Sequence, residues 1–317
     1  MVPPSPRVCL GLPIYNQTHA LREALEALTR QSYPHYRLVA FDDSTGPEPG
    51  RIVQAYARSD PRIVYTANPA RRGMIDNWRA CVEAAGKAEF FAWVSDHDRH
   101  EPRWLEALVA ALDEHPSAVL AYPLTAHLQA DGSRRKKKKV HRFSTIGLSP
   151  RRRVQAVCRE AKGFGKMVYG LFRLEALKRA GVFRRLLTPD VVLLLELSLY
   201  GDFVQVPEVL WHRRKTAEFS VARQREALFG ASVPWYVHVP WPLVNSGALL
   251  WNGCLRRGAG GLSRRLLGLH LAASYFARWI GKYGEGTWIG SYHEWRHGKK
   301  PWMKRIKKWI RSRRGEA

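Results

Sequence analysis

Two aspartates flank a histidine just after a run of apolar residues in the sequence. The apolar run is Phe90–Val94, and Asp96, His97 and Asp98 follow it. Carboxylates separated by one residue in a loop can point the same way and bind a divalent cation, with positions left for phosphate and water. Mg²⁺ or Mn²⁺ bound there would stabilise a departing diphosphate as a Lewis acid. The sequence therefore predicts a metal site at Asp96 and Asp98, although solvated surface loops contain the same pattern.

The segments around these residues alternate between short apolar runs and amphipathic stretches, which is typical of strands and helices laid down in turn. Predicted strands cover 7–15, 36–43, 62–68, 90–95 and 118–124, and predicted helices cover 18–31, 51–59, 74–86 and 102–115. This order favours an α/β fold with a mostly parallel sheet and helices on both faces. Such sheets bind ligands at the carboxyl ends of their strands. The polar residues that end three strands should therefore collect along one edge: Tyr15, Asn16, Asp42, Asp43, Asp96 and Asp98.

The chain continues with further helices and strands after a basic segment. Residues 131–146 contain six consecutive basic residues and are predicted to form a loop. A glycine-containing strand and a helix are expected within 161–183, followed by a helix, a turn and a strand within 188–214. This continuity predicts that residues 1–225 form one domain.

Four segments together resemble the family 2 glycosyltransferases, which have the GT-A fold. They are Leu12–Asn16, Phe41–Thr45, Asp76–Asp98 and His100–Leu108, and their order and spacing are more specific than any single segment. The resemblance extends to about residue 215. It implies a Rossmann-like sheet that binds a nucleotide-sugar. It also implies transfer of the sugar, with inversion, to a hydroxyl of a glycan or lipid-linked acceptor.

The resemblance implies roles for residues along the predicted edge. Asp42 or Asp43 would accept hydrogen bonds from the base or the ribose, since carboxylates suit N–H and O–H donors. Asp43 can instead cap the turn that follows it. The residues that would border the nucleotide are Pro13, Tyr15, Asn16, Arg72, Gly73 and Asn77.

The metal motif departs from the usual pattern of the family. Counted back from Pro102, the usual carboxylate pair falls at His97 and Asp98, whereas the sequence pattern alone selects Asp96 and Asp98. Asp98 belongs to both interpretations. His97 is a second candidate ligand because imidazole also binds metals, and a solvated loop histidine is the alternative.

The resemblance places a catalytic base in the segment TPDVVLLLELSLYG. In the family, the base belongs to an acidic pair about eleven residues before a glycine, and Asp190 has that position relative to Gly201. Pro189 replaces the first acid of the pair. Asp190 would take the proton of the acceptor hydroxyl, although aspartate is also common in the first turn of a helix. Glu196, in an apolar setting, is the reserve candidate.

Three basic residues follow the last predicted strand. Arginine forks match phosphate oxygens in two places at once, so Arg213 and Arg214 are predicted to bind the diphosphate. His212 is predicted to complete the metal shell or to contact the phosphate. A solvated basic loop is the alternative for all three.

Charge is distributed unevenly along the chain. Residues 1–130 contain 13 Lys and Arg and 15 Asp and Glu, whereas the remainder contains 39 Lys and Arg and 12 Asp and Glu. The uncharged segment Ala227–Leu255 is long enough to span a bilayer, but its prolines argue against a regular span. Mixed Trp, Leu and basic residues beyond it are typical of segments at an anionic membrane surface. Residues 226–317 are therefore predicted to be a basic, Trp-rich, helical extension at that surface, with helices that cover the sheet as the alternative.

Two other classes of protein remain as alternatives. A nucleic-acid-binding protein would use the lysines and tryptophans for phosphates and bases, but the acids at the ligand edge would repel a polynucleotide. A nucleotidyltransferase that makes sugar-nucleotides would have a glycine-rich phosphate loop after its first strand, which this sequence lacks. Four widely spaced cysteines and the composition of the first residues predict a cytoplasmic protein, peripheral on the inner face of the cell membrane.

Overall fold

A computed structural model describes residues 6–129, 133, 142–160, 164–214, 227–229, 234–239, 241–256 and 260–284. The strands are β1 (Val8–Ile14), β2 (Tyr36–Asp42), β3 (Ile63–Ala67), β4 (Phe90–Trp93), β5 (Arg99–His100), β6 (Ala118–Leu128), β7 (Leu171–Arg173) and β8 (Asp202–Arg214). The first helices are α1 (Leu21–Thr29), α2 (Glu48–Ser59), α3 (Met74–Glu83), α4 (Trp104–Glu114) and α5 (Pro150–Arg159). The later helices are α6 (Phe164–Met167), α7 (Leu174–Ala180), α8 (Pro189–Leu197), α9 (Trp241–Leu250) and α10 (Leu262–Gly284).

The eight strands form one sheet with the order β3-β2-β1-β4-β7-β6-β8-β5. Strands β3, β2, β1 and β4 are parallel neighbours, and so are β6 and β8. The short strand β7 is antiparallel to both β4 and β6, and β5 is antiparallel to β8. The expected parallel sheet is therefore present. Strand β7 falls within the predicted strand region 161–183, whereas the sequence pattern revealed neither β5 nor the antiparallel direction of the two strands.

Helices cover both faces of the sheet, as expected. Alternation along β1 sends Leu10 and Leu12 into a core with Leu25 of α1 and Trp104 of α4. Cys9 points to the other face, where the core includes residues of α3, α5, α7 and α8. Helix α8 is apolar around its circumference, which is typical of a helix buried on all sides.

The described C-terminal helices belong to the second of these cores. Trp241 and Leu249 of α9 and Leu271 and Tyr275 of α10 are buried there with α5 and α8. A π-helical turn, Trp251–Leu255, follows α9. Among the described residues, no helix is both long enough and apolar enough to cross a membrane. Residues 134–139, with the basic run, and 285–317 lie outside the described residues, and a boundary near residue 225 remains a prediction.

Candidate active site

A cleft of about 280 Å³ opens at the carboxyl ends of β1, β2 and β4. Seven of the predicted site residues line it: Pro13, Tyr15, Asp43, Gly73, Asn77, Asp96 and His97. Side chains that the sequence did not single out complete its wall, among them Arg71, Met74, Trp78 and Tyr169. The edge predicted at the carboxyl ends of the strands is therefore a concave surface lined by acidic, aromatic and cationic groups.

The end of β1 supplies an exposed aromatic ring and a turn. The Tyr15 side chain is 47% exposed, and the Arg71 guanidinium carbon lies 4.8 Å from the centre of its ring. Asn16 has a positive φ of 53°, and its Oδ1 accepts a hydrogen bond of 2.9 Å from the Thr45 backbone N–H. Its own N–H donates to Ser44 Oγ at 2.8 Å. Asn16 thus joins the ends of β1 and β2, and Tyr15 is left facing the cleft.

The two aspartates after β2 are buried, and each holds part of the surrounding chain. Asp42 accepts hydrogen bonds from the Tyr65 hydroxyl at 2.9 Å and from a backbone N–H at 3.0 Å. Asp43 accepts the backbone N–H groups of Arg72 at 2.7 Å and Gly73 at 2.8 Å. Gly73 has a φ of 79°, which favours glycine. Asp43 therefore shapes the loop that passes the cleft.

This loop places the two consecutive arginines differently. Arg72 gives its backbone N–H to Asp43, and its guanidinium lies 6.0 Å from the Phe41 ring. Arg71 is the arginine that lines the cleft. Asn77 is 3% exposed, and its amide donates to the Phe41 carbonyl at 3.1 Å and accepts from Asn68 at 2.9 Å. Asn77 therefore lines the cleft but has its amide engaged in holding α3 against β2.

The Asp96-His97-Asp98 motif divides between the cleft and the interior. Asp98 is 2% exposed and accepts hydrogen bonds from Trp211 Nε1 at 3.1 Å and the Arg214 backbone N–H at 2.8 Å. Burial raises the pKa of Asp98. Asp96 and His97 are both half-buried in the cleft wall, with Asp96 Oδ1 and His97 Nδ1 2.7 Å apart. Burial alone would lower the pKa of His97, but Asp96 and Asp98 raise it overall.

The basic residues at the end of β8 also divide. The Arg214 side chain is buried, donates to the His97 carbonyl at 3.1 Å and pairs with Glu23. His212 is 1% exposed, with its Nε2 2.5 Å from Glu101 Oε1. Both residues brace the motif and the strands around it from outside the cleft lining.

Arg213 and Asp190 approach each other beside Gly165. A Cβ on Gly165 would lie 3.9 Å from Arg213 Nη1 and 4.0 Å from Asp190 Oδ2. Burial raises the pKa of Asp190, against the opposing effects of backbone N–H groups in the first turn of α8 and of Arg213. The charge of Arg213 also acts on His97. Arg213 therefore lies within electrostatic range of both the motif and the candidate base.

Tyr169 marks the point where these acids converge. Burial raises its pKa, and the charges of Asp98, Asp96 and Asp190 raise it further while Arg213 lowers it. Its ring lies 5.7 Å from that of Trp78 and 5.1 Å from that of Trp211. Tyr169 thus lies within electrostatic range of the Asp96–Asp98 loop, which borders the cleft, and of Asp190 at the N-terminus of α8.

Comparison with known proteins agrees with this arrangement. The family model of glycosyl transferase family 2 matches residues 9–180, more than half of the chain. The chain belongs to glycosyl transferase family 2. It is 30% identical to EpsE of Bacillus subtilis over 111 residues. The aligned region covers 35% of this chain and 40% of EpsE. A match to the protein y4gI of Sinorhizobium fredii is 33% identical and spans 37% of this chain but only 13% of that protein.

The fold is that of solved GT-A glycosyltransferases. TarS of S. aureus, solved with UDP-GlcNAc, superposes with a TM-score of 0.57 at 16% identity, covering 86% of this chain and 73% of TarS. The mannosyltransferase PcManGT of Pyrobaculum calidifontis, solved with GDP-Man and Mn²⁺, gives a TM-score of 0.51 at 17% identity over 85% and 86% of the two chains. The predicted family and GT-A fold are therefore confirmed.

The donor groups of this family 2 chain suit a cation that shares its shell with phosphate. No group of three His, Cys, Asp or Glu side chains in the described part of the chain is arranged to hold a metal. At the Asp96-His97-Asp98 motif, the cleft wall offers the carboxylate of Asp96 and the imidazole of His97. Mg²⁺ at nucleotide sites commonly takes only one or two protein carboxylates, together with substrate phosphates and water. Asp96 and His97 fit that requirement, whereas both oxygens of Asp98 already accept hydrogen bonds.

Sequence reasoning missed Arg71, Trp78 and Tyr169 in this family 2 site. Arg71 carried a signal, because it adjoins Arg72 in a loop already assigned to the nucleotide. Trp78 lies one residue after Asn77, on the same predicted helix. Tyr169 lies between two short elements, α6 and β7, where the pattern gave no reason to expect a cleft residue.

Proposed function

We propose that this protein transfers a glycosyl group from a nucleotide-sugar to a hydroxyl of a glycan or lipid-linked acceptor, with metal assistance and inversion of the anomeric carbon. The observation that carries the proposal is that Asp96 and His97 line the cleft with Tyr169, while Arg213 and Asp190 act electrostatically on that tyrosine from beside Gly165. An inverting displacement needs cations for the leaving diphosphate and a base for the attacking hydroxyl. Arg71 in the cleft lining and Arg213 beside Gly165 are the cations, and Asp190, also beside Gly165, is the base.

Tyr15 and Arg71 are proposed to bind the nucleotide. The ring of Tyr15 is exposed beside the Arg71 guanidinium, so a base has a flat aromatic surface and a phosphate has a cation within one short segment of the wall. Asp43 fixes the loop that carries Arg71. Its Oδ1 accepts from Asn68 and Arg72 and its Oδ2 from Gly73, which leaves one lone pair of Oδ2 for an N–H or O–H donor. This arrangement supports a nucleotide donor rather than a polynucleotide.

Asp96, His97 and Arg213 are proposed to hold the diphosphate. A divalent metal bound by Asp96 and His97 would supply Lewis-acid stabilisation of the negative charge that develops on the leaving group. Arg213 adds a guanidinium beside them, donating to the Gly165 carbonyl at 3.4 Å and with further N–H groups for phosphate. Asp98 and Arg214 support this loop from the interior, and the Nε2 of His212 contacts Glu101 outside the cleft lining.

Asp190 is proposed to act as the general base. Its carboxylate accepts the proton of the acceptor hydroxyl while that oxygen forms a bond to the anomeric carbon. The bond between that carbon and the diphosphate oxygen breaks on the opposite face, and the nucleoside diphosphate leaves with the electron pair. Burial raises the pKa of Asp190, which makes its carboxylate a stronger base.

The reaction is proposed to occur at the cytoplasmic surface of the cell membrane. The segment 226–317 is strongly basic, and roughly 1 kcal/mol per basic residue is available near an anionic surface. A lipid-linked or growing glycan acceptor would be presented there.

A binding and turnover experiment tests the proposal. UDP-, GDP- and dTDP-sugars are added with and without Mn²⁺ to the wild type and to Asp96→Asn, Asp190→Asn and Glu175→Gln, and thermal stabilisation and nucleotide release are measured. One nucleotide class should stabilise the wild type in a metal-dependent way. Asp96→Asn should lose that response. Asp190→Asn should keep the metal-dependent stabilisation, but the rate at which turnover of the donor frees the nucleotide should fall about 10²–10⁴-fold.

Glu175 is exposed on α7, so Glu175→Gln controls for loss of a carboxylate alone and should behave as wild type. Equal, metal-independent responses to all donors would refute the assignment of the cleft. Salt-dependent binding of DNA, with no effect of any nucleotide-sugar, would favour the nucleic-acid alternative.

A further inference from the structure

The outward face of α10 is apolar. Leu262, Leu266 and Leu269 are 74%, 55% and 47% exposed, and Ala273 and Phe276 continue the same stripe at spacings of three and four residues. The opposite face is also apolar, with Leu271 and Tyr275 fully buried against the core. A helix on the surface of a globular protein ordinarily turns polar residues outward. The exposed stripe is therefore a surface that requires a partner.

Positive charge borders this stripe. Arg265 lies beside it, and its guanidinium donates to the Cys254 carbonyl at 3.2 Å, which joins α10 to the preceding π-helical turn. That turn exposes Trp251 and Leu255, at 57% and 54%, and is followed by the exposed Arg256. The sequence from Ala227 to Gly284 contains no Asp or Glu. This stretch of the chain therefore combines exposed apolar side chains with cations and contributes no carboxylate to the surface.

We propose that the stripe Leu262–Leu266–Leu269–Ala273–Phe276 is a membrane-docking surface that lies in the headgroup region of a bilayer containing anionic lipid. An amphipathic helix with Leu and Phe on one side and Arg at its margin is the structure that inserts parallel to such an interface. The inference rests on the proposed function for its biological setting, and it assigns membrane contact to a particular helix face.

The positive charge beside the stripe favours an anionic bilayer over two possible protein partners, a second copy of the chain and the segment 285–317. A second copy of the chain would bring two surfaces together that carry arginine and no acid, so its contact would be repulsive. The segment 285–317 contains ten Lys and Arg and only three Glu, so it is also a poor partner for this face. Anionic headgroups attract the arginines while the acyl boundary accepts the leucines.

Flotation of the full chain with lipid vesicles tests the docking surface without any donor or acceptor. The vesicles are phosphatidylcholine alone, or equal parts of phosphatidylcholine and phosphatidylglycerol. Wild type should float with the mixed vesicles and not with phosphatidylcholine alone. The triple variant Leu262→Ser/Leu266→Ser/Leu269→Ser should lose at least about tenfold in partitioning, because apolar burial is removed.

Val64→Ser/Val209→Ser is the matched control, since these residues are 48% and 42% exposed on the sheet and should not affect flotation. The single variant Leu262→Ser, expected to lose about threefold, maintains the test if the triple variant fails to fold by circular dichroism. Three results would overturn the proposal: no flotation of the wild type, flotation unchanged in the Leu variants, or a wild-type dimer in light scattering that these variants dissociate. Nucleotide release in detergent is measured separately, so failure of docking and failure of glycosyl transfer are distinguishable.

Discussion

The two regions that supply the candidate catalytic groups are built by different forces. At the cleft edge, buried carboxylates are held by hydrogen bonds: Asp43 by backbone N–H groups of one loop, and Asp98 by Trp211 and Arg214 of β8. In the region of α8, α9 and α10, apolar packing dominates. Leu193, Leu194 and Leu195 of α8 are buried among side chains from the C-terminal helices.

This difference teaches how each region responds to change. At the cleft edge, an acid can be indispensable for folding without touching a substrate, because donors from distant strands depend on it. In the helical region, Asp190 depends on how well helices fit together far from the cleft. The four predictions that follow test this contrast, from the largest expected effect to the smallest.

Replacing Asp98 should reveal a structural acid. Asp98→Ala leaves Trp211 Nε1 and the Arg214 backbone N–H without acceptors in the interior, at about 1–3 kcal/mol for each donor. We therefore expect the free energy of unfolding to fall by about 2–5 kcal/mol. Denaturant titration measures it.

Asp96→Ala is the matched comparison within the same motif. Asp96 is half-buried and contacts His97, so its loss should change the free energy of unfolding by less than about 1 kcal/mol while abolishing metal-dependent donor binding. If Asp98→Ala instead folds as stably as wild type and loses only the metal response, Asp98 is a ligand and the division of the motif is wrong.

Glu196 is a buried carboxylate of the helical region, and the loss of its proton should destabilise the folded state as the pH rises. Glu196 is 2% exposed and contacts Arg184 Nε at 3.0 Å, but burial outweighs this partner and raises its pKa from 4.5 to about 7. Between those pH values the folded state holds a proton that the unfolded state has released. The resulting stabilisation, complete below pH 4.5, is lost as the pH rises towards 7, by about 3 kcal/mol in total.

Unfolding of wild type and Glu196→Gln between pH 4.5 and 7.5 measures this contribution. The amide does not titrate, so the variant should gain stability relative to wild type across the window. Glu83→Gln, an exposed position on α3, should track the wild type. Parallel curves for wild type and Glu196→Gln would mean that Arg184 keeps the carboxylate ionised throughout.

Two glycines in the helical region should respond in opposite directions to the same substitution. A Cβ on Gly268 of α10 would lie 2.1 Å from the Gly253 carbonyl oxygen, so Gly268→Ala must push the helices apart. We expect a loss of about 1–3 kcal/mol in the free energy of unfolding. Gly247 is exposed on α9 with no atom within 4 Å of its Cβ position. Gly247→Ala should stabilise by up to about 1 kcal/mol because alanine favours the helix.

Thermal and denaturant unfolding of the two variants measures both effects. Equal effects of the two substitutions would show that close packing of α10 against the preceding π-helical turn does not hold the helical region together.

Sequence periodicity predicted the elements of the first region well, because each strand and helix there is defined by local alternation. The carboxyl ends of β1, β2 and β4 meet as expected, since parallel strands leave the sheet on one side. The burial of Asp98, which belonged to both interpretations of the metal motif, could not be predicted. It depends on donors that lie 113 and 116 residues away in the sequence, in β8.

The second region was predicted less completely. Helix α5 was not predicted, because three consecutive arginines at 151–153 begin it and its apolar side is formed by few residues, among them Val154 and Val157. The apolar and basic composition of α10 indicated a surface helix, yet that helix has an apolar inner face as well. A single sequence cannot show which side of such a helix meets the protein, because both sides satisfy the same periodicity.

The smallest expected change in the free energy of unfolding comes from Asn245, a residue of α9 that contacts the residue preceding α8. Asn245 of α9 is fully buried, and its Nδ2 donates to Thr188 Oγ1 at 3.2 Å and to the Tyr275 hydroxyl at 3.3 Å. Thr188 precedes α8 with a φ of 55°, so a polar contact from the C-terminal helices fixes the strained residue that sets the first turn and Asp190.

Asn245→Ala should therefore lower the free energy of unfolding by about 1 kcal/mol and lower kcat more than it changes the KM for the donor. Ser246→Ala is the control, because Ser246 Oγ bonds only to the Pro242 carbonyl of its own helix among the described contacts. A change in donor KM with kcat intact would place the influence of Asn245 on the nucleotide cleft. That outcome would contradict a role in orienting Asp190, since the base acts on the acceptor hydroxyl and not on the bound donor.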